Sequence, residues 1–295
     1  MGRPTNHDLE GDPEYTEFTK FIEDSNKSKA TAKSYKTTFR KLRDILGKNI
    51  SDTAQDTCAQ AIMASTDNIN SAQALINIAI LVRQNKQMPV NELIEQRNVN
   101  KEEVTEMLKQ ANLFSDLPPL SVFDDYLEDL WNKHLYREYI INYLIRHHYV
   151  RNQDCIFDIV ETKRETLENT NLNYLWLDRK KQMVHYIRNN YKTARTYGQK
   201  VTKIDNERFL TAVKKCHKQL YCFPLTTNED QIGYYIQKMT MKDPLNVDGK
   251  GLGEGACLKI IINHYKNDIA KLKEISKSRG TNLDVLLTSY NINYT

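Results

Sequence analysis

Residues 174–204 read YLWLDRKKQMVHYIRNNYKTARTYGQKVTKI, and the fold class turns on how this stretch is read. From Tyr174 to Leu177 and from Met183 to Ile187 the apolar pattern has the period of two expected of strands. The polar run Asp178 to Lys181 between them reads as the turn of a β-hairpin. Lys200 to Ile204 adds a third strand. Elsewhere the apolar residues recur at three- and four-residue spacing. The chain is therefore expected to be mainly α with a small antiparallel β-sheet.

Upstream of the hairpin, helices are expected over about Ser121 to Trp131 and Arg137 to His148. Before them, Asp116-Leu117-Pro118-Pro119 interrupts the helical pattern, because neither proline can continue a helix and each restricts the residue before it. A domain boundary is placed there, giving a flexible arm over 1–14, a helical domain over 15–115 and a second domain over 120–295. In the first domain Tyr15, Phe18, Phe21 and Ile22 share one helical face. A second helix carries Ala32, Tyr35, Phe39, Leu42 and Leu46, with a cap near Ser28 to Thr31 and Gly47 placed to end it. Further helices are read over about Ser71 to Val82 and Lys101 to Leu113. Downstream of the hairpin, helices are expected from about Asn206 to Leu220, around Gln231 to Met241, and from about Glu254 to the end. The glycine-rich loop Asp243 to Gly253 lacks both a P-loop ending and dinucleotide-binding spacing, and reads as a connector.

Composition sets the class. The chain has 295 residues, 40% of them hydrophobic and 27% charged, which is the balance of a folded globular protein. No apolar run approaches the ~18 residues of a membrane span, and no signal peptide is read at the start. The five cysteines, Cys58, Cys155, Cys216, Cys222 and Cys257, are scattered and unpaired in pattern, which suits a reducing compartment. A net charge of +4 says little by itself, but the charge is clustered. Between Asn26 and Lys48 there are eight Lys or Arg against the single acid Asp44, and from Arg179 to Lys203 eight more with no acid. Such clusters attract a phosphate backbone and release its counterions. The candidate DNA contacts are Lys33, Lys36, Arg40, Lys41 and Arg43 in the first cluster, and Arg195 and Lys200 in the second. Gly2-Arg3-Pro4 matches the core of a minor-groove AT-hook, a match too short to carry weight.

Four segments, in order, resemble the tyrosine recombinases of the phage-integrase family. ATAKSYKTTFRKLRDILG (30–47) is similar to the signature helix of that family's core-binding domain. YVRNQDCIFDI (149–159) resembles its first catalytic motif, an arginine followed three residues later by Glu or Asp. NYKTARTYGQKVTKI (190–204) resembles its β-hairpin lysine segment. GTNLDVLLTSYNI (280–292) resembles its closing segment, a Gly-His pair with a tyrosine nine residues beyond the histidine. The resemblance runs from about Tyr15 to Tyr290, and its wording is nearest to divergent members encoded by large DNA viruses and mobile elements. It implies a core-binding domain over 15–115 and a catalytic-like domain over 120–295.

Tyrosine recombinases attack a DNA phosphodiester with a tyrosine hydroxyl, without a metal or other cofactor. Charge builds on the phosphoryl oxygens while the 5'-oxygen leaves. By resemblance, Arg151 would clamp the phosphate, Asp154 would support it, Lys192 would protonate the leaving oxygen and Tyr290 would be the nucleophile. Tyr294 competes for that last role. The rest of the set is damaged: Ala256 stands at the first histidine, Lys259 at the second arginine and Thr281 at the second histidine. Lysine lacks the planar fork of arginine, and a hydroxyl cannot shuttle a proton near neutral pH. His147 and His148 read as capping or surface groups, and the hairpin aromatics as sheet packing. The partner implied is double-stranded DNA held between two basic lobes, with self-association on DNA as in the family, no membrane and no small-molecule substrate. The setting implied is intracellular, in a host nucleus or cytoplasm or in a virion. Three classes remain: a weakened or inactive recombinase-fold DNA binder in genome processing, packaging or organisation, an active recombinase or integrase, and a structural virion-associated protein.

Overall fold

A computed structural model describes residues 9, 11–25, 27–110, 117–218, 223, 229–242, 252–290 and 292. The Gly2-Arg3-Pro4 triplet, Asp116, Cys222, Tyr294, most of the glycine-rich loop and the expected helix ends near Leu113 and Leu220 lie outside the described residues. Contacts divide the chain into two compact units, Met1–Ala111 and Asn112–Thr295.

The first unit contains α1 (Pro13–Asp24), α2 (Lys29–Leu46), α3 (Gln55–Ser65), α4 (Ile69–Asn85) and α5 (Asn91–Gln110) among the described residues. Asp12 caps α1 by accepting from the Tyr15 N–H at 2.9 Å, and Pro13 opens the helix where its missing donor costs nothing. Ser28 caps α2 by accepting from the Thr31 N–H at 3.1 Å, and Gly47 ends it at φ 64°. Phe18 and Phe39 stack at 4.9 Å, so α1 and α2 meet through the apolar faces the sequence marks. α4 buries Ala72, Leu75, Ile76, Ile78, Ala79, Ile80 and Val82 and forms the middle of this core. Three features depart from expectation. α3 goes unread in the sequence because its buried residues, Cys58, Ala59 and Ile62, are few and mostly small. α5 begins at Asn91 rather than near Lys101. The residues read as an arm include Glu14, which is buried and accepts the Ile50 and Ser51 N–H groups at 2.8 and 2.9 Å.

The second unit opens with α6 (Leu120–Asn132) and α7 (Tyr136–His148), followed by a 3-10 turn, Asn152–Cys155. Next come β1 (Phe157–Val160), α8 (Glu165–Glu168), β2 (Asn173–Asp178), β3 (Met183–Arg188), α9 (Ala194–Tyr197) and β4 (Lys200–Ile204). The helices α10 (Glu207–Lys218), α11 (Glu229–Met239), α12 (Glu254–His264), α13 (Ile269–Arg279) and α14 (Leu283–Ser289) complete it. The sheet order is β1-β2-β3-β4. β2, β3 and β4 form the expected antiparallel meander, with Trp176 opposite His185 and Tyr186 opposite Thr202.

The expectation of a purely antiparallel sheet is corrected by β1, which runs parallel to β2 with Phe157 opposite Asn173. The sheet is mixed. A parallel neighbour needs a crossover rather than a tight turn, and residues 161–172, with α8 inside them, supply it. β1 has only four residues, too few for alternation to show in the sequence.

Leu175, Leu177, Val184, Tyr186 and Ile204 point from one face of the sheet into the large core that α6, α7, α10, α12 and α13 also enter. On the other face Val160, Tyr174 and Ile187 form a small cluster with Trp176 against it. The hairpin aromatics therefore serve packing. Buried Asn142 donates to the Met239 carbonyl at 2.6 Å and ties α7 to α11. Among the described residues no helix is long and apolar enough to cross a membrane.

Candidate active site

The site lies where the end of α7, the 3-10 turn, the ends of β3 and β4, and the C-terminus of α13 come together. Period two explains one of its members. Val184, Tyr186 and Arg188 alternate along β3, so the strand that puts valine and tyrosine into the core puts an arginine there too, 2% exposed. Its counter-charge is Asp154, fully buried, whose Oδ2 lies 3.4 Å from Arg188 Nη1 and accepts the Arg151 backbone N–H at 3.2 Å. Burial pushes the Asp154 carboxyl above the usual range, against the pull of that N–H bond and of the Arg188, Arg151 and Arg279 charges. The Tyr186 hydroxyl donates to the Asp154 carbonyl at 2.6 Å and anchors the turn to the sheet.

Three cations from three elements converge on the last turn of α13. Arg151 Nη1 donates to the Arg279 carbonyl at 2.6 Å, and Arg188 Nη1 to the Ser278 carbonyl at 3.1 Å. Lys200 Nζ donates to the Lys277 and Ser278 carbonyls at 2.6 and 3.2 Å. A helix C-terminus leaves carbonyls unpaired and carries partial negative charge, so it attracts cations as an oxyanion would. Arg279 closes the arrangement from the helix side, reaching the Tyr149 carbonyl at 3.1 Å and Glu254 at 2.7 Å. The second Glu254 oxygen accepts the Asn152 N–H at 3.1 Å.

Tyr290 caps α14 and is half-buried. Burial raises its hydroxyl above the usual tyrosine range; the Arg279 and Arg151 charges pull the other way, and Glu254 adds to the rise. The same groups that surround Arg151 thus reach the tyrosine. Gly280, at φ 61°, ends α13 with Thr193 of the β3–β4 connection pressed against it; a Cβ there would clash with Thr193 Oγ1. This contact brings the hairpin segment and the closing segment side by side.

Of the catalytic candidates named from the sequence, Arg151, Asp154 and Tyr290 share this neighbourhood. Lys192 is exposed in the β3–β4 connection and makes no hydrogen bond or ion pair among the described residues. Lys259 is half-buried on α12, five residues beyond Glu254, and likewise adds no bond to the network. Thr281 donates its backbone N–H to the Ser276 carbonyl at 3.0 Å. Lys200, read as a DNA contact, belongs to the cluster. Burial, and next the Arg188 charge, pull its ammonium down to about 8. Its Nζ also lies 5.0 and 5.4 Å from the ring centroids of Tyr191 and Tyr197. Arg195 is exposed on α9.

On α2, Lys33, Arg40 and Lys41 are exposed, with Arg40 lying over the Tyr15 ring at 5.0 Å. Lys36 pairs with Glu23 at 2.7 Å. Arg43 turns inward to Asp12 at 2.5 Å and holds the start of α1, which removes it from the basic stripe.

Sequence reasoning missed Arg188, Arg279 and Glu254. For Arg188 the signal was present in its phase with Val184 and Tyr186. Nothing local distinguishes Arg279 from an ordinary cation in a last helical turn, or Glu254 from an ordinary acid in a first one. Among the described residues no group of three or more His, Cys, Asp or Glu is arranged to hold a metal.

No family model and no curated protein matches this chain. A solved structure described as the crystal structure of XerA recombinase is similar at a TM-score of 0.38 and 11% identity, over 95% of this chain and 94% of that one, a weak likeness that carries no argument of its own.

Proposed function

We propose that this protein binds double-stranded DNA as a tyrosine-recombinase-like protein whose strand-cleaving chemistry is weakened or absent, acting in the processing, packaging or organisation of a viral or mobile-element genome. One observation carries the reading. The cations that the motif resemblance and the geometry supply for a phosphate, Arg151, Arg188 and Lys200, already donate to the carbonyls of Lys277, Ser278 and Arg279. Transition-state stabilisation needs donors preorganised toward the developing charge, and donors engaged with backbone oxygens are not. The substitutions Ala256 and Thr281 remove both imidazoles of the family pattern, so no histidine stands at those positions to move a proton. The viral or mobile-element setting is supported by the wording of the motifs. The basic stripe Lys33, Arg40 and Lys41 supports DNA as the partner.

A second reading, an active recombinase, keeps Tyr290 as the nucleophile, eased by the Arg279 and Arg151 charges although burial raises its hydroxyl above the usual range. A nicked suicide duplex that traps a 3'-phosphotyrosine separates the two. The expected result is DNA binding that weakens steeply with salt and no covalent adduct. An adduct formed by the wild type and abolished by Tyr290→Phe would establish the active enzyme instead. Salt-insensitive or absent DNA binding would leave the fold as a protein-contact module.

A further inference from the structure

Along α6 the apolar residues Phe123, Leu127 and Leu130 are buried, and the acids Asp124, Asp125, Glu128 and Asp129 fill exposed positions between them. Asp124 and Glu128, one turn apart, form a wall of a cavity of about 410 Å3 whose other walls come from α7 and the start of α10. α7 supplies Tyr139 and Tyr143, again one turn apart, which are 5% and 9% exposed. Their rings belong to the core, Tyr139 lying 5.5 Å from Trp131 and Tyr143 4.7 Å from Phe209. Their hydroxyls make no hydrogen bond among the described residues. Neither oxygen belongs to the sealed, unpartnered polar atoms of the interior, so both keep contact with the cavity. Burial, and next the neighbouring Tyr143, push the Tyr139 hydroxyl up to about 12; burial, then the Asp205 charge, raise that of Tyr143. Both groups therefore hold their proton near neutral pH, and each oxygen is an unused acceptor.

The charges facing this space do not cancel. Asp124 gives its two oxygens to Arg146 at 2.7 and 3.1 Å. Glu128 pairs with Arg208 through Oε2, which leaves Oε1 without a partner among the described residues. Asp205 adds a third carboxylate, whose charge reaches Tyr143. Desolvation and the Arg146 charge hold the His147 imidazole below its usual range, so it adds no charge near neutral pH. Arg208 shows what the surroundings accept, because its guanidinium lies over the Trp131 ring at 5.5 Å while a carboxylate pairs with it.

We propose that this cavity receives a primary alkylammonium group, which donates to Glu128 Oε1 and the Tyr139 and Tyr143 hydroxyls while its alkyl chain lies on Leu127. An ammonium has three donors for these three unused acceptors, and it supplies the positive charge that the local balance lacks. The tyrosine rings and Leu127 suit its methylenes. The volume falls in the range of small-ligand pockets and exceeds what a bare ion requires. Two sources share this chemistry: a free polyamine, or the lysine side chain of another polypeptide. The site does not depend on the DNA reading.

The test uses the full-length chain near neutral pH and at one ionic strength, with n-butylammonium, spermidine, Nα-acetyl-lysine amide, n-butanol and magnesium as probes. The ammonium probes are expected to raise the melting temperature saturably, and n-butanol and magnesium are not. Tyr139→Phe and Tyr143→Phe keep the rings and remove oxygens that nothing within the protein uses. Each should leave the ligand-free melting temperature in place and weaken ammonium binding about three- to tenfold, the order of one hydrogen bond. Glu128→Gln should weaken it about tenfold or more, and because the Glu128–Arg208 pair is exposed its loss should hardly change stability. Asp129→Asn, on the same helix and paired with Lys133 outside the cavity, should behave as wild type. Spermidine binding far more tightly than the two monoamines assigns a polyamine, and Nα-acetyl-lysine amide matching or exceeding spermidine assigns a lysine side chain. A magnesium response equal to that of n-butylammonium would reduce the site to a diffuse acidic surface. Ammonium responses that are absent, or unchanged in Tyr139→Phe, Tyr143→Phe and Glu128→Gln, would overturn it. A large loss of ligand-free stability in both phenylalanine variants would also overturn it, by showing that the hydroxyls serve the fold.

Discussion

Gly280 shows what one residue does in this fold. Its φ of 61° is in the left-handed region, and a Cβ would clash with Thr193 Oγ1. Gly280→Ala therefore combines a left-handed cost of about 1 kcal/mol with a steric clash. Chemical denaturation should show a loss on the order of 2 to 4 kcal/mol. Removing the Thr193 hydroxyl in a Gly280→Ala, Thr193→Ala double variant should return the steric share and leave the backbone share. Equal losses in single and double variants would exclude the clash. His148 gives a second residue-scale expectation. Burial, then the His147 and Arg188 charges, hold its imidazole down at about 4. An unfolded histidine titrates near 6.5, so the unfolded chain binds the extra proton between about 6.5 and 4. Stability contributed by neutral His148 is present above about 6.5 and falls away as pH drops toward 4. Its share is on the order of 2 to 3 kcal/mol. His148→Gln should flatten that part of a melting-temperature profile against pH, and an unchanged slope would contradict the burial seen here.

At the scale of elements, α2 has two kinds of basic residue on its solvent side. Lys33, Arg40 and Lys41 are exposed, whereas Arg43 is 13% exposed and paired with Asp12. If the exposed stripe meets DNA phosphates, replacing those three by Gln should reduce the slope of log affinity against log salt by about 2 to 3, at ~0.9 per phosphate contact. The melting temperature should hardly move. Arg43→Met should do the reverse, destabilising the unit because Asp12 and buried Glu14 lose a counter-charge, with the salt slope preserved. Fluorescence anisotropy titrations across a salt series measure the first effect and thermal melts the second. The C-terminus of α13 is the other informative element. Its carbonyls gather Arg151, Arg188 and Lys200, so the helix end does within the protein what a bound oxyanion would do from outside.

At the scale of the molecule, the chain is two compact units, each with its own apolar core and its own basic surface. The first has helices as its only regular elements among the described residues, and the second places a four-stranded mixed sheet against helices. The candidate site belongs wholly to the second unit. It joins α7, the 3-10 turn, β3, β4, α12, α13 and α14, elements spread over more than half the sequence of that unit.

What the amino-acid order alone determined here is what local periodicity and capping can carry. The three antiparallel strands, α1, α2, α4, α6 and α7, and the caps at Ser28 and Gly47 were all legible, because each rests on residues within a turn or two of one another, whereas Arg151, Asp154 and Tyr290 were named only through a family resemblance. Tertiary structure alone decided the rest. β1 is too short to alternate visibly, and its parallel partner is reached only through a crossover. The roles of Arg188, Lys200, Arg279 and Glu254 depend on long-range bonds: Arg279 meets Tyr149, and Lys200 meets Lys277. Lys192 and Lys259, named through the resemblance, carry positive charge, yet neither joins the network. Charge is a local property of the sequence, whereas the oxygen it meets is chosen by the packing of helices and strands far apart in the chain.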